Sequence, residues 1–302
     1  MIKKRQHYVW RHYLRAWSKK DTTYCMRKNK VFKASLMNIA HEKYFYKLQE
    51  LTLIEKELIR KLAIEPSPEF LKPLHENFLR DFTMVFDVRN KAKANNAYTD
   101  EFEKETEKLI INLEEDYHAA IENSGQKYLK LILEKKIDFF LNQDSRNEFS
   151  YYLTTQYMRT KQIRNSVTKS VGDNNKVNIT KLWPILSHIF ATNLGHSLAS
   201  SKDYKIILLE NRSQNNFITG DQPVINTFAY NKKTDEEVDD LEFYYPISPE
   251  LAILITQNDE LKSTQIIADI NEINNYNEMI FKSSEEQIYA SSEQELKGYE
   301  YV

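Results

Sequence analysis

Apolar and aromatic positions recur at helical spacing across residues 6–19, through Tyr8, Trp10, Tyr13, Leu14 and Trp17, which predicts a short amphipathic helix. Residues 22–26 and 31–33 flank the polar turn Arg27-Lys28-Asn29-Lys30 and predict a small hairpin. Residues 35–46 read as an irregular segment with aromatic anchors and one carboxylate, Glu42. From 51 to about 201 helical patterns dominate, punctuated at 66–68, Asn95-Asn96, Ser124-Gly125, 143–145 and 172–175. Ser67 and Thr99 stand where helix N-termini need side-chain acceptors. Beyond 202 the pattern shifts to short bulky runs at 204–209, 216–219, 224–228, 242–246 and 251–256, which predict an antiparallel sheet. An acidic loop is expected at 232–241, and 264–283 returns to helical spacing through Ile266, Ile270, Ile273, Tyr276 and Ile280.

The fold class that follows is α+β and predominantly α: a long helical middle, a C-terminal antiparallel sheet and a small N-terminal hairpin. Residues 1–302 are expected to form one compact unit, with a motif segment at 1–46, a helical body at 47–203, and the sheet with its last helix at 204–302. Five glycines and seven prolines in 302 residues reinforce the helical bias. A lone Cys25 forms no intramolecular disulfide, the N-terminus lacks an apolar leader, and no apolar run spans a bilayer. A cytoplasmic protein without a membrane partner is the expectation.

Charge is polarised although the net value is only −2. Residues 1–33 hold eleven Lys/Arg against the single acid Asp21, and 235–260 hold nine Asp/Glu without a base. A cationic surface for phosphates is one consequence. Two solvated or mutually packed faces are the other.

If 6–19 is helical, His7 and Arg11 share a face, where an imidazole ligates metal or moves a proton and a guanidinium grips phosphate. The plainer reading is a histidine packed among aromatics and a surface arginine. Gln156, Arg159 and Thr160 fall together on another helix whose region, 150–170, has no acid of its own. Arg159 then meets either a phosphate or an internal carboxylate, and Gln156 orients substrate or fills a buried amide network. Arg164 extends the positive field. In Thr219-Gly220-Asp221-Gln222-Pro223, a tight backbone fixes the Asp221 carboxylate, suited to Mg²⁺ or to base catalysis and equally to turn formation. Glu115 and His118 have the i,i+3 spacing of a di-iron bundle ligand pair, but no second copy exists, so they read as the solvated face of an acidic helix.

The set His7-Tyr8, Tyr13-Leu14, Glu42, Phe45-Tyr46, Gln156, Arg159-Thr160, Thr219-Gly220-Asp221, Pro223, Pro246, Ser248 and Pro249 resembles DUF4238, a bacterial family without an assigned function. The resemblance implies that these remote segments matter together, and it supplies no reaction. From residue types, metal-assisted hydrolysis of a phosphodiester is the leading expectation, a nuclease or related hydrolase of a toxin-like or phage-defence kind. Asp221 and Glu42 would hold Mg²⁺ or Mn²⁺, and His7 would activate water or ligate the ion. Gln156 would orient substrate or water, and Arg159, Arg11, Thr160 and Arg164 would meet the substrate's phosphate. Asp221→Ala is then expected to abolish nucleic-acid cleavage in a folded protein. The alternatives are a non-catalytic nucleic-acid-binding or partner-binding regulator and a nucleotide-binding sensor.

Overall fold

A computed structural model of the protein describes residues 2–171, 178–232, 238 and 240–301. The chain opens with β1 (Arg5–His7), α1 (Arg11–Leu14), β2 (Thr22–Arg27), β3 (Lys30–Ser35) and β4 (His41–Lys43). The helix expected over 6–19 is therefore a strand, one helical turn and a 3₁₀ turn, Arg15–Trp17. Tertiary partners override the local period because each large side chain is claimed from a different direction. The Gln6 amide donates to the Ile111 carbonyl and accepts from the Tyr46 amide, Tyr13 Oη donates to the Pro246 carbonyl, and Trp17 Nε1 donates to the Phe217 carbonyl. The hairpin is as expected but longer at both ends. Lys28 and Asn29 both have φ above +50°, the two-residue turn whose twist matches that of paired strands.

The helical middle comprises α2 (Leu53–Ile59), α3 (Lys72–Ala94), α4 (Asp100–Leu133), α5 (Gln143–Met158), α6 (Lys161–Val171) and α7 (Ile179–Ser200). Thr99 caps α4 by accepting from the Phe102 amide, as its position predicts, whereas α3 starts only at Lys72, beyond Ser67. The expected break at Ser124-Gly125 is absent, and α4 runs through it. Gly125 is there for packing: a Cβ at this position would lie 2.1 Å from a ring carbon of Tyr152 on α5. The expected break at 172–175 lies outside the described residues.

The last part contains β5 (Lys205–Asn211), β6 (Thr219–Gly220), β7 (Ile225–Asn226), β8 (Phe243–Pro246), β9 (Leu251–Thr256), β10 (Thr264–Ile267), α8 (Ile270–Ser283) and β11 (Gln287–Ala290). Two sheets form here in place of one, ordered β10-β5-β9-β8-β7 and β3-β2-β11-β6. The N-terminal hairpin thus belongs to a sheet completed by the end of the chain. Residues 264–267 are a strand parallel to β5, where Ile267 is buried and Ile266 exposed, a period of two that the following helix had masked. Most of the expected acidic loop at 232–241 lies outside the described residues. Helix occupies 52% of the chain and strand 17%, so the fold is α+β and mostly helical. Among the described residues no helix is long and apolar enough to cross a membrane.

Candidate metal centre

Glu114, His118 and Glu122 are successive i,i+4 positions of α4 and project from one face of it. That face meets α7, which supplies His188, and the rings of His118 and His188 lie 5.0 Å apart. Glu114, His118 and His188 are 2%, 1% and 1% exposed, and their ligand atoms all lie within 4.8 Å of one another. Glu114 Oε1 is 3.6 Å from His118 Nε2. Donors around a tetrahedral ion stand about 3.4 Å apart, so Glu114 and His118 are close to coordination spacing and the set as a whole needs a closure of at most about 1.4 Å.

The three side chains are poorly satisfied by the protein itself. Glu114 Oε2 and all four ring nitrogens of His118 and His188 are buried without a hydrogen-bond partner. Such atoms are rare in folded proteins and cost about 1–3 kcal/mol each. His75 is orphaned too, but it packs beside Phe78 and belongs to no such convergence. Burial holds both imidazoles in the neutral, ligating form, His118 well below its usual range and His188 at about 3. Burial also pushes Glu114 well above the ordinary carboxylate range and Glu115 up to about 7. Three carboxyl groups, Glu114, Glu115 and Glu122, surround one buried cation, Arg159, so added positive charge would be matched by groups already present.

Access comes from one side. A cleft of about 160 Å³ has Glu114 and Arg159 in its lining, with Tyr46 and Glu42 from the segment around β4, Arg164 from α6, and Thr180, Trp183, Pro184 and Ser187 from α7. Pro184 has no N–H for the Thr180 carbonyl, which interrupts the α7 hydrogen-bond ladder where it borders the cleft. The Arg164 guanidinium sits 4.2 Å from the centroid of Phe45, and its Nε has no acceptor. Lys181 is neutralised by Glu55 at 2.7 Å, and Lys161 by Glu286 at 2.7 Å with Glu42 at 3.8 Å.

The residues singled out from sequence distribute unequally around this centre. Arg159, 3% exposed, uses Nε on Tyr46 Oη (2.8 Å), Nη1 on Glu122 and Nη2 on the His7 carbonyl (2.7 Å). It takes the internal carboxylate, not a free face. His7 reaches this network through its backbone; its ring lies tilted against that of His41, 5.3 Å between centroids, and burial together with Arg11 holds it at about 3, which removes it as a base near neutrality. Because His7 lies in β1 and Arg11 in α1, the shared helical face proposed for them does not exist, and Arg11 is exposed. Gln156 is buried with Nε2 unpartnered. Thr160 bonds Gln222, which in turn donates to the Tyr157 and Val224 carbonyls, a structural bracket. Arg164 and Glu42 do line the cleft.

Asp221, 1% exposed, is held elsewhere. Its oxygens accept the amides of Glu285 and Glu286 at 2.8 Å and of Gln287 at 3.0 Å, clasping the start of β11. Burial pushes its carboxyl up to about 7, against the opposing pull of those amides. Among the described residues, Glu42 and Asp221 belong to no three-residue ligand group. A clasp predicts that Asp221→Asn, which turns an acceptor into a donor facing amides, costs about 1–3 kcal/mol in urea unfolding. A solvent-facing metal ligand would show no loss.

Glu114, Glu122 and His188 went unremarked in the sequence, and His118 was paired there with the wrong glutamate and the wrong environment. The signal was the i,i+4,i+8 stripe Glu114, His118, Glu122; His188 sits inside the apolar run Trp183–Phe190 and gives none. No curated protein and no solved structure matches the chain. The family model described as "Protein of unknown function (DUF4238)" matches residues 5–294, and the chain belongs to that family.

Proposed function

We propose that the protein is a metal-dependent hydrolase of phosphate esters whose ion is held by Glu114, His118 and His188. The observation that carries this reading is a two-histidine, one-carboxylate set, buried and unsatisfied, with its carboxylate bordering a cleft that Arg164 also lines. Three protein donors leave a coordination position free, the arrangement of catalytic rather than structural sites. Two imidazoles favour zinc or a neighbouring transition metal over the Mg²⁺ or Mn²⁺ expected from paired carboxylates. An ion there supplies Lewis acidity and a more acidic water. Arg164 binds the anionic substrate, and Arg159 with Glu122 and Tyr46 fixes the wall that carries them.

Nucleic acid is the substrate class favoured by the N-terminal segment. All eleven Lys/Arg of residues 1–33 are exposed, and among the described residues only Lys3 and Arg15 form ion pairs, with Asp116 and Asp21. The same exposure favours the second reading, a regulator that docks nucleic acid without turning it over. A free buried Cys25 suits a reducing cytoplasm.

The test is turnover of bis(p-nitrophenyl) phosphate and of single- and double-stranded nucleic acid after chelation and reloading with Zn²⁺, Mn²⁺ or Mg²⁺. Restored turnover that falls at least about 100-fold in Glu114→Gln supports the hydrolase. Absence of turnover with every ion, alongside binding that weakens steeply with salt, replaces it with the regulator.

A further inference from the structure

Trp183 borders two clefts. One is the cleft above Glu114; the other, of about 410 Å³, opens between α6, α7 and the segment after β7. The wall between them is shared: α6 gives Arg164 to the first cleft and Gln162 and Ser166 to the second. Trp183 is 4% exposed, yet its Nε1–H has no acceptor, a buried donor in the partition itself. The second cleft presents four aromatic rings, Tyr157, Trp183, Phe190 and Tyr230, with the Gln162 amide, whose one bond to Ser166 is at 3.5 Å. Its size is within the range of pockets that enclose small organic ligands. Rings offer faces to any flat heterocycle, and an amide with a free indole N–H reads its ring nitrogens and carbonyls.

We infer that the second cleft is a nucleobase subsite, seating the flat ring of a nucleotide against Tyr230 and the other rings of its lining. The subsite stands without the hydrolase reading. Lipid and sugar phosphates lack the flat heteroatom-bearing ring that this lining matches.

The experiment is calorimetric titration of zinc-loaded protein with AMP, ribose 5-phosphate and adenosine. AMP should bind roughly 10-fold or more tightly than ribose 5-phosphate, the increment of one base stacked on an aromatic ring. Tyr230→Ser, at a half-buried position that does not threaten the fold, should bring the two to parity. Adenosine separates this inference from the hydrolase reading: it binds with or without zinc if the subsite exists, even where phosphate shows no metal dependence. Equal affinities for AMP and ribose 5-phosphate, or a Tyr230→Ser protein with undiminished preference for AMP, overturn it.

Discussion

Glu114→Gln should abolish tight zinc binding while leaving the metal-free fold intact. The substitution keeps the shape of the side chain and removes the anionic donor from a set of three, so affinity should fall at least about 100-fold. The wild type is expected to bind one equivalent of zinc, read by chelator competition. Zinc at about 1,000 times its dissociation constant stabilises a protein by about 4 kcal/mol, so the wild-type melting temperature should rise on loading and that of the variant should not. Metal-free wild type and variant should melt within a few degrees of each other, because Gln is an uncharged isostere of an acid that burial keeps protonated. His188→Ala is the harsher companion. It removes a ligand and also empties a space lined by Phe78, Phe82 and Tyr117, which adds a cavity cost of about 2–4 kcal/mol with or without zinc. Equal zinc affinity in wild type and Glu114→Gln, or no zinc bound by either, removes the metal centre from the molecule.

What the sequence disclosed depended on whether a residue's neighbours were local. The hairpin, the cap of α4, and strands β5, β8 and β9 are written in short-range periods and turn residues, and they are where those patterns place them. Residues 6–19 show a helical period although Gln6, Trp17 and Tyr13 are claimed by the Ile111, Phe217 and Pro246 carbonyls from an extended start, and those partners are remote in sequence. Ser124-Gly125 reads as a break until Tyr152 is seen against it. The site shows the same division. Arg159 was legible as a charge in a stretch without acids that must meet a phosphate or an internal carboxylate, and the acid it meets, Glu122, comes from α4. Glu115 and His118 were read as solvated because their helix is acidic overall, although His118 belongs with Glu114 and Glu122 to the stripe that faces α7. Glu55, on a charge-rich helix, is a buried capping-box residue that also binds Lys181. A turn with Asp221 looks alike whether it offers oxygens to an ion or to three amides, and only the position of β11 decides.

Arg159→Met should destabilise the protein by about 3–5 kcal/mol, the cost of leaving a buried carboxylate without its counter-charge. The guanidinium stays charged despite its burial because Tyr46 and Glu122 lie beside it, and three of its five N–H groups are committed to Tyr46, Glu122 and the His7 carbonyl. Removing it orphans all three acceptors, which tie β1, the segment after β4, and α4 to the end of α5. Arg159→Lys should recover little, since one ammonium cannot reproduce a fork that serves three directions. Arg159→Met combined with Glu122→Leu should recover much of the loss, because the second change removes the carboxylate that the first left unpaired. Urea unfolding of the three variants measures each step. The alternative for this arginine, a phosphate ligand on an open face, makes the opposite forecast: Arg159→Met would change stability by no more than about 0.5 kcal/mol, and Glu122→Leu would rescue nothing. Loss of stability with rescue therefore identifies Arg159 as the brace of the cleft wall, and leaves Arg164, on α6 and without an ion-pair partner among the described residues, as the cation proposed to meet the substrate.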